Sequence, residues 1–110
     1  MNHANLKIDQ REEDSELRLI LTGELDLAAA SGLHERLAQL SAEGVPVRLD
    51  LSELAFIDSS GVHVLIRAMN QARDNGWRLE VDSNLSPAVR RVFELVQLDR
   101  FIAGDADAAR

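Results

Sequence analysis

The sequence predicts an α/β domain, a four-stranded mixed sheet with helices packed mainly on one face. Three observations lead there. Segments near residues 6–9, 17–22, 47–51 and 77–82 alternate apolar with polar residues, the pattern of half-buried strands. Three other segments repeat apolar residues at helical spacing, each behind an Asp or Ser able to cap a helix. After the first two strands, helices and strands alternate. Strand–helix–strand units set neighbouring strands parallel with right-handed crossovers.

Leu6 and Ile8 alternate with Lys7 and Asp9 as the first strand. Arg11-Glu12-Glu13-Asp14-Ser15 reads as a solvated turn. Leu17, Leu19 and Leu21 form the second strand, ended by Gly23. So short a polar link implies an antiparallel hairpin. Asp26 caps a helix whose apolar stripe is Ala29, Leu33, Leu37 and Leu40, with Gly44 and Pro46 as its stop. Val47, Leu49 and Leu51 make the third and central strand, and Leu54, Phe56 and Ile57 an apolar connection. Asp58-Ser59-Ser60-Gly61 opens the second helix, with Val62, Leu65, Ile66 and Met69 as its stripe and Asn75-Gly76 as its end. Trp77, Leu79 and Val81 form the fourth strand, with Trp77 in the core. Ser86-Pro87 caps a third helix through Val89, Val92, Phe93 and Val96. Leu98, Phe101 and Ile102 dock a last short element, and residues 104–110 form a frayed tail. The whole chain, 1–110, is one domain with its core over about 5–103.

Composition narrows the function. A chain of 110 residues and 12.2 kDa folds to an area of ~6,100 Å² from ~17,700 Å² unfolded, enough burial for one core without crosslinks. Twelve basic and nineteen acidic residues leave a net charge of -7. That sign repels phosphate backbones and anionic membranes, so neither nucleic acid nor a membrane is an expected partner. Without cysteine there is no disulfide, thiol nucleophile or thiolate metal site. The polar, acidic start is no signal peptide and no apolar run spans a bilayer, so the expected compartment is the cytoplasm. The charge and the lack of long apolar runs point to a monomer in the free state.

Catalytic templates are missing. There is no G-x-G-x-x-G, no G-x-x-x-x-G-K-[ST] and no G-x-S-x-G. His3, His34 and His63 fall in unrelated segments, so no metal set and no cofactor is expected. The only lysine is Lys7. The one chemistry-bearing feature is Asp58-Ser59-Ser60-Gly61 at a helix mouth, where unpartnered amides carry partial positive charge and tolerate a phosphate. Gly61, lacking a Cβ, lets another molecule's backbone come close. By spacing alone, Asp-Ser-Ser is equally a redundant N-cap.

Three motifs in register favour the functional reading by resemblance. Thr22-Gly23-Glu24-Leu25-Asp26, Phe56-Ile57-Asp58-Ser59-Ser60-Gly61-Val62 and Leu85-Ser86-Pro87-Ala88-Val89-Arg90-Arg91-Val92-Phe93 resemble the anti-sigma factor antagonists, the stand-alone members of the STAS domain family. The resemblance runs from about Leu6 to Ile102. It implies a binding protein rather than an enzyme. The unphosphorylated form binds an anti-sigma factor and frees a sigma factor; the anti-sigma factor, acting as a serine kinase, phosphorylates the serine after the aspartate, and a metal-dependent serine phosphatase reverses this. Carried over, the acceptor is Ser59. The partner-binding residues are Glu24, Asp26, Asp58, Ser59, Ser60, Gly61 and His63, with Ser59 and Asp26 on adjacent strand–helix turns. The family usually continues D-S-S-G with Leu-Gly; here Val62-His63 stands instead, and His63 falls one helical turn after Ser59. Two other functions are consistent with the residues. One is a STAS module of another bacterial complex, such as a lipid-transport ATPase or stress-sensing assembly. The other is a small hydrolase using Ser59, for which His63 is the only sequence-local base.

Overall fold

The computed structural model describes residues 2–3 and 5–97. In chain order the elements are β1 (Asn2–His3), β2 (Leu6–Glu13), β3 (Glu16–Leu25), α1 (Leu27–Ala42), β4 (Val47–Ile57), α2 (Ser59–Asn75), β5 (Leu79–Val81) and α3 (Pro87–Leu95). One mixed sheet runs in the order β1-β2-β3-β4-β5. The β2–β3 pair is antiparallel, whereas β3–β4 and β4–β5 are parallel. The alternation of strands and helices thus has the topology the sequence predicts. The expected docking of Leu98, Phe101 and Ile102 and the tail at 104–110 lie outside the described residues.

The sheet has five strands rather than four. The additional β1 pairs antiparallel with β2 through Asn2↔Lys7 and His3↔Leu6. A two-residue edge strand held by backbone pairing carries no apolar alternation, so periodicity has nothing to detect. The hairpin turn is also tighter than the acidic run suggests. Glu13 pairs with Glu16, and only Asp14 (φ 49°) and Ser15 (φ 69°) turn the chain. Two consecutive positive φ values mark the two-residue turn whose twist matches the flanking strands.

Besides β2, which runs on to Glu13, two strands outrun their predicted ends. β3 continues through Gly23 to Leu25. Gly23 has φ +105°, and a Cβ there would lie 2.2 Å from the Asn5 carbonyl oxygen. The glycine therefore admits a close backbone approach within the strand instead of ending it; the Glu24 N–H donates to the same Asn5 carbonyl at 3.1 Å. β4 extends through the supposed connection to Ile57. Its pairing advances from Asp50 to Glu53 while β3 advances from Ile20 to Thr22, and from Leu54 to Phe56 while β3 moves from Gly23 to Glu24. Each step inserts one extra residue in β4, a β-bulge. The buried positions accordingly run 47, 49, 51, 54, 57. The change from steps of two to steps of three hides the strand from a period-2 reading.

One core joins Leu19, Leu21, Leu49 and Leu51 of the sheet to Leu33 and Leu37 of α1, Leu65 and Met69 of α2, and Val89 and Phe93 of α3. All three helices therefore cover the same face of the sheet. Trp77 is half-buried against this core, and its Nε1 donates to the Val45 carbonyl at 2.6 Å.

The opposite face is ionic. Arg18 contacts Glu13 at 2.8 Å, Asp50 at 3.2 Å and Asp82 at 3.1 Å. Arg48 contacts Glu16 at 2.9 Å, Glu80 at 3.4 Å and Asp82 at 3.8 Å. Hydrogen bonds and charge from Glu13 and Asp82 hold the Arg18 guanidinium ionised against its partial burial, and Glu16 does the same for Arg48. The bond from Arg18 pulls the Glu13 carboxyl below its ordinary value. Burial works against ionisation of Asp50, but its bonds from the Ser52 hydroxyl and N–H, together with Arg18, outweigh burial and lower its pKa.

Candidate functional site at the paired helix mouths

β3 and β4 are parallel neighbours, and their last pair in register is Leu25↔Ile57. One residue beyond each stands an aspartate, Asp26 and Asp58, and each strand then turns into a helix. Register alone therefore places the mouths of α1 and α2 side by side, above the carboxyl ends of the parallel strands.

Each aspartate caps its own helix. Asp26 Oδ1 accepts from the Ala29 N–H at 3.1 Å, and Asp58 Oδ1 accepts from the Gly61 N–H at 3.0 Å. Asp58 also links the two turns. Its N–H donates to the Leu25 carbonyl at 3.2 Å, and its Oδ2 accepts from the Leu27 N–H, the first amide of α1, at 3.2 Å. A single carboxylate thus occupies the electropositive mouths of both helices. No sequence signal distinguishes this bridging role from ordinary capping.

With Asp58 as the cap, Ser59 is the first helical residue and is exposed, while Ser60 behind it is half-buried. His63 is exposed one turn further along α2. Ser59, Ser60 and His63 line a shallow concavity with Leu27, Ala30 and Val64. Glu24 is exposed at the end of β3, and Asp26 and Asp58 are half-buried. The structure therefore gathers Glu24, Asp26, Asp58, Ser59, Ser60 and His63 at one end of the molecule.

Gly61 is at the same end for a different reason from the one expected. It is buried, and a Cβ on it would lie 2.6 Å from the Leu25 carbonyl oxygen, 2.7 Å from Leu25 Cγ and 2.9 Å from Ile57 Cγ1. The close approach that Gly61 allows here is that of this chain's own β3 and β4, through Leu25 and Ile57.

Sequence reasoning missed two neighbours of the site. Leu27, the first residue of α1, is 74% exposed, and Phe56, taken as part of an apolar connection, is 47% exposed at the end of β4. Periodicity counts both as apolar, but an N-terminal helical residue and a residue on a bulged strand escape the buried face. Elsewhere, His34 lines a groove with Ala68 and Trp77, away from Ser59. Arg90 and Arg91 are exposed on α3, where Arg90 Nη2 donates to the Ser83 carbonyl at 3.1 Å. Among the described residues, no group of three His, Cys, Asp or Glu side chains is placed to hold a metal ion, and no helix is long and apolar enough to cross a membrane.

Comparison with known proteins places this geometry in a family. Residues 8–103 match the family described as "Mlab, STAS domain". An anti-sigma-B factor antagonist from Listeria monocytogenes is 31% identical over 100 residues, covering 89% of this chain and 87% of its own. The solved structure of the anti-sigma factor antagonist SpoIIAA in its unphosphorylated form is 25% identical, with a TM-score of 0.73 over 94% of this chain and 93% of that one. The Bacillus cell fate determinant SpoIIAA in its phosphorylated form shares the fold, with a TM-score of 0.68 at 23% identity over 94% of this chain and 96% of that one. The family match across nearly the whole chain and the Listeria relative show that this chain belongs to the STAS domain family, among its anti-sigma factor antagonists.

Proposed function

We propose that the chain is a cytoplasmic binding switch that antagonises an anti-sigma factor and is controlled by phosphorylation of Ser59. Unphosphorylated, it binds an anti-sigma factor that is also a serine kinase, and a sigma factor is released. The observation that carries this reading is Ser59 itself. It is an exposed first helical residue directly after Asp58, at a mouth shared by two helices, in a chain whose relatives are anti-sigma factor antagonists.

The physics of the switch is local. A phosphate on Ser59 adds about -1.5 to -2 charges. The α2 N-terminus accommodates that charge within the molecule, so the fold is retained. An interface centred on Ser59 does not accommodate it, because Asp58, Asp26 and Glu24 already place carboxylates there and the phosphate would have to be desolvated. A serine phosphatase restores the binding form. The chain acts throughout as substrate and ligand, without turnover of its own.

Incubation with ATP, magnesium and the cognate anti-sigma kinase tests this. One phosphate is expected, on Ser59 rather than Ser60. The phosphorylated form and Ser59→Asp should bind the anti-sigma factor at least roughly tenfold more weakly, a loss of about 1.4 kcal/mol or more. Ser59→Ala should bind like wild type. Phosphate found on Ser60, or equal affinity of Ser59→Asp and Ser59→Ala, overturns the mechanism.

A second reading is supported by the description of the matched family as that of Mlab. On that reading the chain is a STAS module of another assembly. It predicts a purified partner complex whose affinity is the same for wild type and Ser59→Asp.

A further inference from the structure

We propose that His63 is the residue that pairs with a phosphate carried by Ser59, so that the charge of the phosphorylated site responds to pH near neutrality. The inference rests on the reading of Ser59 as the phosphate acceptor. It goes beyond that reading by giving the phosphate an internal partner.

The geometry is that of an unbroken helix. α2 begins at Ser59 and runs to Asn75, so Ser59 and His63 stand at i and i+4, where side chains meet on one face. Both are exposed, and both line the concavity at the helix mouth. The rest of that lining is Leu27, Ala30, Ser60 and Val64, so His63 is its only ionisable side chain among the described residues. An anion preceding a cation by four residues is the favourable order on a helix. His63 also lies beyond the first turn, where the helix dipole no longer penalises a cation.

The surrounding charges leave this pairing open. The Asp26 and Asp58 carboxylates are engaged on helix amides, and Glu24 is exposed at the end of β3. Arg67 follows His63 by one turn on the exposed side of α2. On α1, the element packed beside α2, the ionisable neighbour is His34, in a separate groove.

An imidazole titrates near 6.5 and a phosphoserine has its second ionisation near 6, so both change charge over the same range. Pairing favours the imidazolium and the dianion together. A phosphate on Ser59 should therefore keep His63 protonated to higher pH than in the unphosphorylated chain. By the same linkage, the phosphate's second ionisation should fall at lower pH than in a protein lacking His63. Toward pH 6 the imidazolium offsets part of the added negative charge, and above about pH 7.5 that compensation is lost. The repulsion that separates the partner is then stronger at the alkaline end.

The test uses the full chain with phosphoserine installed genetically at position 59, so no kinase is needed. Phosphorus NMR follows the phosphate, and proton–carbon NMR follows the histidines, from about pH 5.5 to 8.5. The forms compared are phosphorylated wild type, phosphorylated His63→Gln, phosphorylated Arg67→Gln and unphosphorylated wild type. The expected result is a His63 midpoint higher with phosphate than without it and a phosphate midpoint lower in wild type than in His63→Gln, both differences retained in Arg67→Gln and attenuated by high salt. A His63 midpoint unchanged by phosphate, a phosphate midpoint unchanged by His63→Gln, or a coupling abolished by Arg67→Gln overturns the proposal. None of these results bears on which serine a kinase modifies. Conversely, kinase-derived phosphate on Ser60 overturns the proposed function and leaves the measured coupling standing.

Discussion

Three residues at the mouth of α2 divide their duties sharply. Asp58 binds two amides on two helices, so Asp58→Ala should cost about 1–2 kcal/mol, the upper part of the range for a lost cap. Gly61 has no room for a methyl group, because the nearest atom is the Leu25 backbone carbonyl at 2.6 Å. Gly61→Ala should therefore cost about 1–3 kcal/mol through overpacking. Ser59, exposed and relieved of capping by its neighbour, should tolerate alanine within about 0.5 kcal/mol. Urea unfolding of the three variants gives this order directly. A Ser59→Ala variant as unstable as Gly61→Ala would make the serine structural.

Between elements, the ionic face of the sheet ties strands that are distant in sequence. Arg18 on β3 reaches Asp50 on β4 and Asp82 just beyond β5. These pairs are about four-fifths buried at the side chain, with Arg18 21% and Asp50 17% exposed, so they are less screened than ordinary surface pairs. The Asp50 pKa is lowered in the folded protein. Its contribution is therefore fully present above the unfolded value near 4 and lost as pH falls through the lower folded value. Asp50→Asn should cost about 1–2 kcal/mol at pH 7. The difference from wild type should shrink toward pH 3, as seen by thermal melts across the acid range. A penalty constant with pH would assign the effect to packing rather than charge.

For the molecule as a whole, a single core shared by the sheet and three helices makes stability a property separable from switching. Leu65 is 1% exposed, and Leu65→Ala should cost about 2–5 kcal/mol through the cavity it leaves. Phosphate on Ser59 should instead move the melting temperature by no more than about 3 °C, with unchanged circular dichroism. A large loss of structure on phosphorylation would make the switch a refolding event.

The sequence by itself determined the order of the elements, the antiparallel start, the parallel continuation and the position of each helix cap. Those are local properties: alternation at Leu17, Leu19 and Leu21, helical spacing from Val62 to Met69, and side chains such as Asp26, Asp58 and Ser86 that accept bonds within their own first turn. It also brought Ser59 into view, because the motif around it is contiguous. Only the tertiary structure decided what depends on register between strands. The bulges that carry β4 to Ile57, the short strand Asn2–His3, and the Leu25↔Ile57 pairing that sets two helix mouths together all arise from pairing across the chain. The second bond of Asp58 and the burial of Gly61 against Leu25 follow from that pairing. A sequence pattern records which face a residue prefers, but not which distant backbone lies beside it.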